Sequence, residues 1–189
     1  MAPKQVIIFN GPPGSGKDYI CNYLSNVLDR TRHSEFKEHL FRCTCVLFNV
    51  TYEEFMELYT DREKKETSTC LLYGYSPREA MIYVSEEVIK PKFGKDYFGL
   101  CTAENLGFGL TVFSDGGFIE ELEAVYDECD GNMMIVQLHR DGCDFSKDSR
   151  SYINDFKDVP IVKIFNNSDI SNFELAVLER VSEWLETIA

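Results

Sequence analysis

The sequence predicts an α/β fold in which a parallel β-sheet is flanked by helices. Short apolar runs rich in Val, Ile and Phe are typical of strands that are covered on both faces. Amphipathic helical patterns lie between these runs, and strands that alternate with helices form parallel sheets through right-handed crossovers. A glycine-rich loop also separates the first strand from the first helix. We expect a single domain that spans residues 1–189.

The first strand, predicted at residues 5–10, leads into residues 11–17, which match the phosphate-binding pattern G-x-x-x-x-G-K. Glycines allow backbone N–H groups to turn toward phosphate oxygens, and the following helix N-terminus adds partial positive charge. The fold class is therefore that of a P-loop NTPase. Asp18 occupies the position where a Ser or Thr hydroxyl normally contacts Mg²⁺. The predicted ATP-binding residues are Gly11, Gly14, Ser15, Gly16, Lys17 and Asp18.

Four more strands and several helices are predicted along the chain. The strands lie at residues 31–36, 110–114, 133–139 and 161–165. Capping boxes, in which Ser or Thr precedes Glu by three residues, predict helices that begin after Thr51, Ser76 and Ser171. A shorter helix follows Gly117.

The distribution of these elements divides the domain into three parts. Residues 37–106 show helical patterns without a convincing strand, so we expect a helical insertion that holds the phosphoryl acceptor. Residues 1–36 and 107–189 then form the core. Within the core, residues 141–158 are polar and lie between two strands, which predicts a mobile lid.

Polar residues follow the strands at the edge where parallel sheets bind ligands. Asp115 follows the strand at residues 110–114 and could hold Mg²⁺ through water or orient the acceptor, although a simple turn explains it too. Asn166 and Asn167 follow the last strand and could recognise a base edge, although they are also ordinary loop residues. The sequence thus predicts nucleotide chemistry at this edge.

Composition narrows the function further. The net charge is −13, from 32 acidic and 19 basic residues, which argues against binding to a nucleic-acid polymer. The seven cysteines are irregularly spaced, so we expect free thiols and no metal cluster. We find neither a signal peptide nor an apolar run long enough to span a membrane. We therefore expect a cytoplasmic protein without membrane contacts.

Cationic residues indicate the reaction class, because phosphoryl transfer between two anionic substrates requires several positive charges. Arg78 lies in the first turn of a predicted helix, where backbone donors also favour an anion. Arg140 and Arg150 flank the predicted lid and could close over the ATP phosphates. Each of these residues alone is more typical of a surface cation, so the interpretation depends on their joint placement.

These motifs together resemble the bacteriophage deoxynucleoside monophosphate kinases and, more remotely, the animal-type phosphomevalonate kinases. The resemblance spans most of the chain and is carried by the segments Gly16-Lys17-Asp18, Phe36-Lys37-Glu38, Ser76-Pro77-Arg78-Glu79, Phe93-Gly94-Lys95-Asp96, Ser114-Asp115 and His139-Arg140-Asp141-Gly142. It implies a P-loop kinase that uses Mg²⁺ and ATP to phosphorylate deoxynucleoside 5′-monophosphates for DNA precursor synthesis. A viral protein of this kind would act in the host cell cytoplasm.

The resemblance also implies roles for individual residues. Asp18 and Asp115 would organise the metal, Lys37, Arg78 and Lys95 would bind the acceptor phosphate, and Lys17, Asp115, Arg140 and Arg150 would form the catalytic group. One departure concerns the turn after Ser-Asp, where the family often has an arginine and this chain has Gly116-Gly117.

Several alternatives stay open at this point. A phosphomevalonate-type small-molecule kinase shares the Gly-Lys-Asp loop, and a P-loop ATPase or nucleotide-binding module would need no acceptor. An interaction protein with a degenerate P-loop is least consistent with Gly11, Gly16 and Lys17. The accepted bases, the selection between ribose and deoxyribose, and the formation of a homodimer are not determined by the sequence.

Overall fold

A five-stranded parallel sheet forms the centre of the computed structural model, which describes residues 3–116, 118–146, 148 and 150–188. Gly117, Lys147 and Ser149, which belong to the predicted helix start and lid, lie outside the described residues. The strand order is β2-β3-β1-β4-β5. The strands are β1 (Lys4–Asn10), β2 (Thr31–Ser34), β3 (Gly109–Phe113), β4 (Met133–His139) and β5 (Ile161–Phe165). All five predicted strands and the parallel sheet are confirmed.

Helices cover both faces of the sheet. One face packs on α1 (Lys17–Val27) and α8 (Ile170–Thr187), whose apolar side chains share a buried cluster with β1 and β4. The other face packs on α7 (Ile119–Glu128). The helix start predicted after Ser171 is wrong, because the Asp169 carboxylate accepts a hydrogen bond from Asn172 N and so caps α8 two residues earlier.

The insertion is helical throughout its regular elements. It contains α2 (Lys37–Phe48), α3 (Tyr52–Tyr59), α4 (Pro77–Ile82), a π-helical segment (Tyr83–Ile89), α5 (Lys90–Phe93), α6 (Tyr97–Glu104) and two short 3₁₀ turns (Lys64–Glu66 and Cys70–Leu72). Both predicted capping boxes, at Thr51 and Ser76, are present. A separate apolar cluster holds α2, α3 and α4 together, so the insertion has its own small core.

The second half of the predicted lid at residues 141–158 packs against the core of the domain. Ile153 and Phe156 are buried in the core cluster beneath the sheet. Asn10 Oδ1 accepts a hydrogen bond from Ile153 N at 2.9 Å, and Gln137 Nε2 donates to Ile153 O at 2.7 Å. The second half of this segment is therefore tied to β1 and β4, and its role as a mobile lid stays a prediction. No helix in the described ranges has the length and apolar character needed to cross a membrane.

Candidate functional site

A cleft of about 870 Å³ lies at the carboxyl edge of the sheet, between the P-loop, the insertion, α7 and the residues Asp148 and Arg150. Its cationic lining residues are Lys17, Lys37, Arg62, Lys65, Arg78, Lys90 and Arg150. Its acidic lining residues are Asp18, Glu86, Asp115, Glu121 and Asp148. The cleft is thus more basic than acidic in a chain whose net charge is −13, which favours an anionic ligand.

The P-loop is held in shape by close backbone packing. Gly16 has φ 102° at the N-terminus of α1, and a Cβ there would lie 2.6 Å from Asn166 Nδ2. Asn166 Nδ2 donates to Ser15 O at 2.9 Å, and Asn167 Oδ1 accepts from Asp141 N at 2.9 Å. The Ser15 hydroxyl is buried without a hydrogen-bond partner among the described residues. The loop thus offers a free donor to a phosphate, while base recognition by the two asparagines stays a prediction.

Lys17 lies in the P-loop as the motif requires. Its Nζ donates to Gly11 O at 2.7 Å and to Pro12 O at 2.8 Å. Burial lowers the pKa of Lys17 to about 8, and the positive charge of Arg150 adds to this effect. A poorly solvated ammonium group of this kind gains from a bound anion, so the site fits the phosphates of ATP.

Asp115 joins the end of β3 to the start of the insertion. Its Oδ1 accepts from Phe36 N at 2.9 Å, and its Oδ2 accepts from Lys37 N at 3.0 Å. Burial opposes protonation of Lys37, but the carboxylates of Asp115 and Glu35 outweigh it and raise the pKa of Lys37. Lys37 Nζ also forms an ion pair with Glu35 Oε1 at 2.9 Å. Lys37 therefore remains a cation in the cleft, and the metal role of Asp115 stays a prediction.

Three carboxylates converge on the base of the P-loop. The pKa of the buried Cys21 thiol is raised well above its ordinary value, first by burial and then by Asp18, Asp115 and Glu35. Ligand atoms of Asp18, His33 and Glu35 lie within 4.8 Å of one another. Mg²⁺ prefers oxygen ligands, so the two carboxylates of this set, Asp18 and Glu35, fit the metal.

His33 is already committed to other contacts. Its Nδ1 lies 2.9 Å from Asn22 Oδ1, and its Nε2 lies 2.9 Å from Ser114 Oγ. The metal-binding capacity of this cluster therefore rests on the oxygens of Asp18 and Glu35. The sequence analysis missed Glu35, because only the fold brings it next to Asp18.

Arg150 points into the cleft and is held on two sides. Its guanidinium donates to both carboxylate oxygens of Asp148, at 2.9 and 2.7 Å, and to Asp115 O at 3.1 Å. A Cβ at Gly116 would lie 2.3 Å from Ile8 Cγ2, so no side chain fits at that position. Arg150 therefore places a cation at the turn after Ser114-Asp115, where the phage kinases that the sequence resembles often have an arginine.

The other predicted cations are placed less centrally. Arg78 lines the cleft, and its Nε donates to both carboxylate oxygens of Glu66, at 2.7 and 2.9 Å. Arg140 Nη1 donates to Gly14 O at 3.0 Å but is not one of the cleft residues. Lys95 is exposed outside the cleft lining, within electrostatic range of Glu86. Substrate binding by Lys95 stays a prediction that this placement does not favour.

The insertion contributes a group of cations to the cleft, of which Lys65 was not among the candidates from the sequence. Lys65 Nζ lies 3.9 Å from the ring centre of Tyr59, and Lys37 Nζ lies 5.9 Å from the same ring. Arg62 lines the cleft beside them. These residues form the Tyr59 cluster, which consists of Lys37, Tyr59, Arg62 and Lys65. For Lys65, the sequence offered one indication, which was its position in the predicted acceptor-binding insertion.

Comparison with known proteins identifies the fold. No protein-family model matches the chain, and no curated protein sequence does. A gluconokinase from Sinorhizobium meliloti 1021 aligns over 100% of this chain and 99% of its own, with TM-score 0.49 and 12% identity. A sugar kinase from Janibacter sp. aligns over 97% and 95%, with TM-score 0.47 and 10% identity. A kinase candidate from Chloroflexus aurantiacus aligns over 97% and 98%, with TM-score 0.52 and 15% identity.

The chain shares its overall α/β fold with the Chloroflexus aurantiacus protein, at TM-score 0.52. At these levels of identity the likeness extends to the fold alone, and the chemistry of the cleft has to be argued from its own residues.

Proposed function

We propose that the protein transfers the γ-phosphoryl group of ATP to a deoxynucleoside 5′-monophosphate. The observation that carries this proposal is the pair of cationic groups that face one cleft. Lys17 and Arg150 lie at the P-loop side, and the Tyr59 cluster lies on the insertion. Two anionic substrates that meet in one site need charge of this kind from both sides.

Different residues of the chain bind the two substrates. Lys17, the Ser15 hydroxyl and the open N-terminus of α1 bind the ATP phosphates. Arg150 stabilises the charge that develops on the transferring group, because its contacts with Asp148 and Asp115 hold it in place.

The acceptor phosphate is bound from the insertion by Lys37, Arg62 and Lys65, with Arg78 at the rim of the cleft. A bound Mg²⁺ would be held by the oxygens of Asp18 and Glu35, with Asp115 nearby, and would neutralise charge on the phosphates. No strong general base is required, because a phosphate acceptor is already ionised and the transition state is loose.

A nucleotide acceptor is supported by the walls of the cleft and by the sequence resemblance. Apolar side chains also line the cleft and offer contacts to a base: Phe36, Leu40, Met81, Phe98 and Phe118. The motifs shared with the phage kinases extend through this same insertion, which favours deoxynucleotides over other phosphorylated acceptors.

The test is ADP release from Mg-ATP with a panel of deoxynucleoside monophosphates, nucleoside monophosphates and phosphomevalonate. We expect stimulation by at least one deoxynucleoside monophosphate. Lys17→Ala should lower this rate by about a hundredfold or more, since one lost transition-state contact typically costs ~10²-fold. Lys163→Ala, which removes an exposed lysine on β5, is the matched control and should leave the rate unchanged.

Two other results of this panel of acceptors would indicate a different function. Stimulation by phosphomevalonate alone would assign the chain to a different class of small-molecule kinase. ATP hydrolysis that no acceptor accelerates would indicate a P-loop ATPase or nucleotide-binding module and would refute the proposal.

A further inference from the structure

Glu121 is a buried carboxyl group that the proposed phosphate chemistry does not use. Its residue is 8% exposed, and it lines the cleft. Its side chain makes no hydrogen bond and no ion pair within 4.0 Å to any residue in the described ranges. Its carboxylate oxygens are not fully buried and lie at the lining of the cleft, where a ligand can reach them.

The backbone at Glu121 is fixed by close helix packing. Helix α6 meets α7 at Gly99, where a Cβ would lie 2.4 Å from Glu121 O and 2.6 Å from Glu121 Cα. Only a glycine permits this approach, and it holds the first turn of α7 against the insertion. Glu121 thus reaches the cleft from a rigid position, as a selective binding residue must.

The charged groups around Glu121 come from four elements and do not neutralise it. They are Asp115 at the end of β3, Lys90 on α5, Arg150, and Glu120 on α7 itself. Burial raises the pKa of Glu121 to about 7, Asp115 adds to this, and Lys90 and Arg150 oppose it.

Both neighbouring cations already have carboxylate partners. Lys90 Nζ forms an ion pair with Glu86 at 2.7 Å and lies 5.3 Å from the ring centre of Phe118. Arg150 binds Asp148 through both carboxylate oxygens. Glu121 is therefore left with unused acceptor capacity in a site that is otherwise paired.

We infer that Glu121 accepts a hydrogen bond from a neutral N–H or O–H donor of the phosphoryl acceptor and thereby selects the acceptor. The inference rests on the proposed function and deepens it. It requires an acceptor with two unlike parts: an anionic phosphate for the Tyr59 cluster and a neutral donor group for Glu121. A nucleoside monophosphate has both, through its base and its sugar hydroxyl.

The same geometry disfavours acceptors that carry a carboxylate in addition to the phosphate. Such a group would meet Glu121 and Glu86, and like charges at close range in a partly buried site repel strongly. Phosphomevalonate is an acceptor of this kind, so it should be a poor substrate.

The experiment uses the isosteric variant Glu121→Gln with Glu120→Gln as the control, because Glu120 is the exposed neighbour on the same turn. We expect Glu121→Gln to raise the KM of the best deoxynucleotide acceptor by about five- to tenfold, because the glutamine amide oxygen still accepts the hydrogen bond but lacks the charge that strengthens it. The KM of ATP should stay unchanged. Glu120→Gln should leave both constants within about twofold of wild type, since exposed charges contribute little.

Acceptor analogues identify the donor. One analogue lacks the 3′-hydroxyl, and another lacks an N–H group of the base. The analogue that lacks the true donor should bind the wild type more weakly and lose nothing further with Glu121→Gln. A KM that does not respond to Glu121→Gln, or an equal loss for every analogue, would overturn the inference.

The pH dependence gives a readout that a structural role would not produce. The wild-type advantage over Glu121→Gln should shrink as the pH falls from about 8 to about 6, because protonation removes the carboxylate acceptor. Titration of the acceptor phosphate affects both proteins equally, so it cancels in the ratio of the acceptor KM of Glu121→Gln to that of wild type. If the ratio of the two KM values stayed constant with pH, the inference would be contradicted. If no nucleotide stimulated the wild-type protein, both the proposed function and this inference would be refuted.

Discussion

Asn10 ties the three segments that form the base of the cleft, and its removal should weaken both the fold and the activity. The side chain is buried at the end of β1. Its Nδ2 donates to Ser151 O at 3.1 Å and to Gly116 O at 3.3 Å, and its Oδ1 accepts from Ile153 N at 2.9 Å. The β3–α7 turn and the segment after Arg150 are therefore anchored to the P-loop strand.

The expected magnitude follows from these contacts. Asn10→Ala leaves one N–H and two carbonyl groups buried without this partner, and a buried unsatisfied group costs about 1–3 kcal/mol. Because the contact with Gly116 O is long, we expect a loss of about 3 kcal/mol in the free energy of unfolding. This corresponds to a decrease in Tm of about 6–12 °C for a chain of this size. The value of kcat/KM should fall as well, because Arg150 loses its anchored neighbours.

The assay is urea unfolding, followed by thermal melting and steady-state kinetics. Asn154→Ala is the matched control, because Asn154 carries the same amide in the same segment but is exposed. We expect this control to lose less than about 0.5 kcal/mol, as is usual for surface positions. A loss below about 1 kcal/mol for Asn10→Ala would refute the reasoning, since it would mean that these hydrogen bonds do not hold the cleft together.

Two further predictions concern the substrates. Arg78→Ala should raise the KM of the acceptor and leave the KM of ATP unchanged. The control Arg180→Ala, which removes an exposed cation of α8, should change neither constant. If Arg78→Ala weakened only ATP binding, the acceptor pocket would be misplaced. ATP affinity should fall by up to about tenfold per pH unit above pH ~8, because Lys17 loses its proton there. Arg150→Ala should move this fall to higher pH, because the field of Arg150 lowers the pKa of Lys17. Calorimetric titration across the pH range measures both effects, and identical profiles for the two proteins would contradict the electrostatic account.

The sequence predicted those features that depend on neighbouring residues. The strand, loop and helix around Lys17 follow from local pattern, and so do the capping boxes at Thr51 and Ser76. Ser171 shows the limit of such patterns: Asp169 offers a competing cap two residues earlier, and it is the one used.

Features that depend on tertiary contacts could not be predicted in the same way. Glu35 becomes a candidate metal ligand only because the fold brings it next to Asp18. Glu121 becomes a candidate binding residue only because the close packing of α6 on α7 holds it at the cleft. The burial of Ile153 and Phe156 was not predicted, because the polar composition of their segment concealed it. Burial and charge pairing are decided by the assembled structure, so the motif located the site but not its full set of residues.

The central claim is that the cleft joins two phosphate-bearing substrates, and transfer of label tests it most directly. The protein is incubated with [γ-³²P]ATP, Mg²⁺ and the deoxynucleoside monophosphate that best stimulates ADP release. The account predicts labelled deoxynucleoside diphosphate as the product, formed at least about a hundredfold more slowly by Lys17→Ala. Label that appears only as inorganic phosphate would contradict the account, because it would show hydrolysis without transfer.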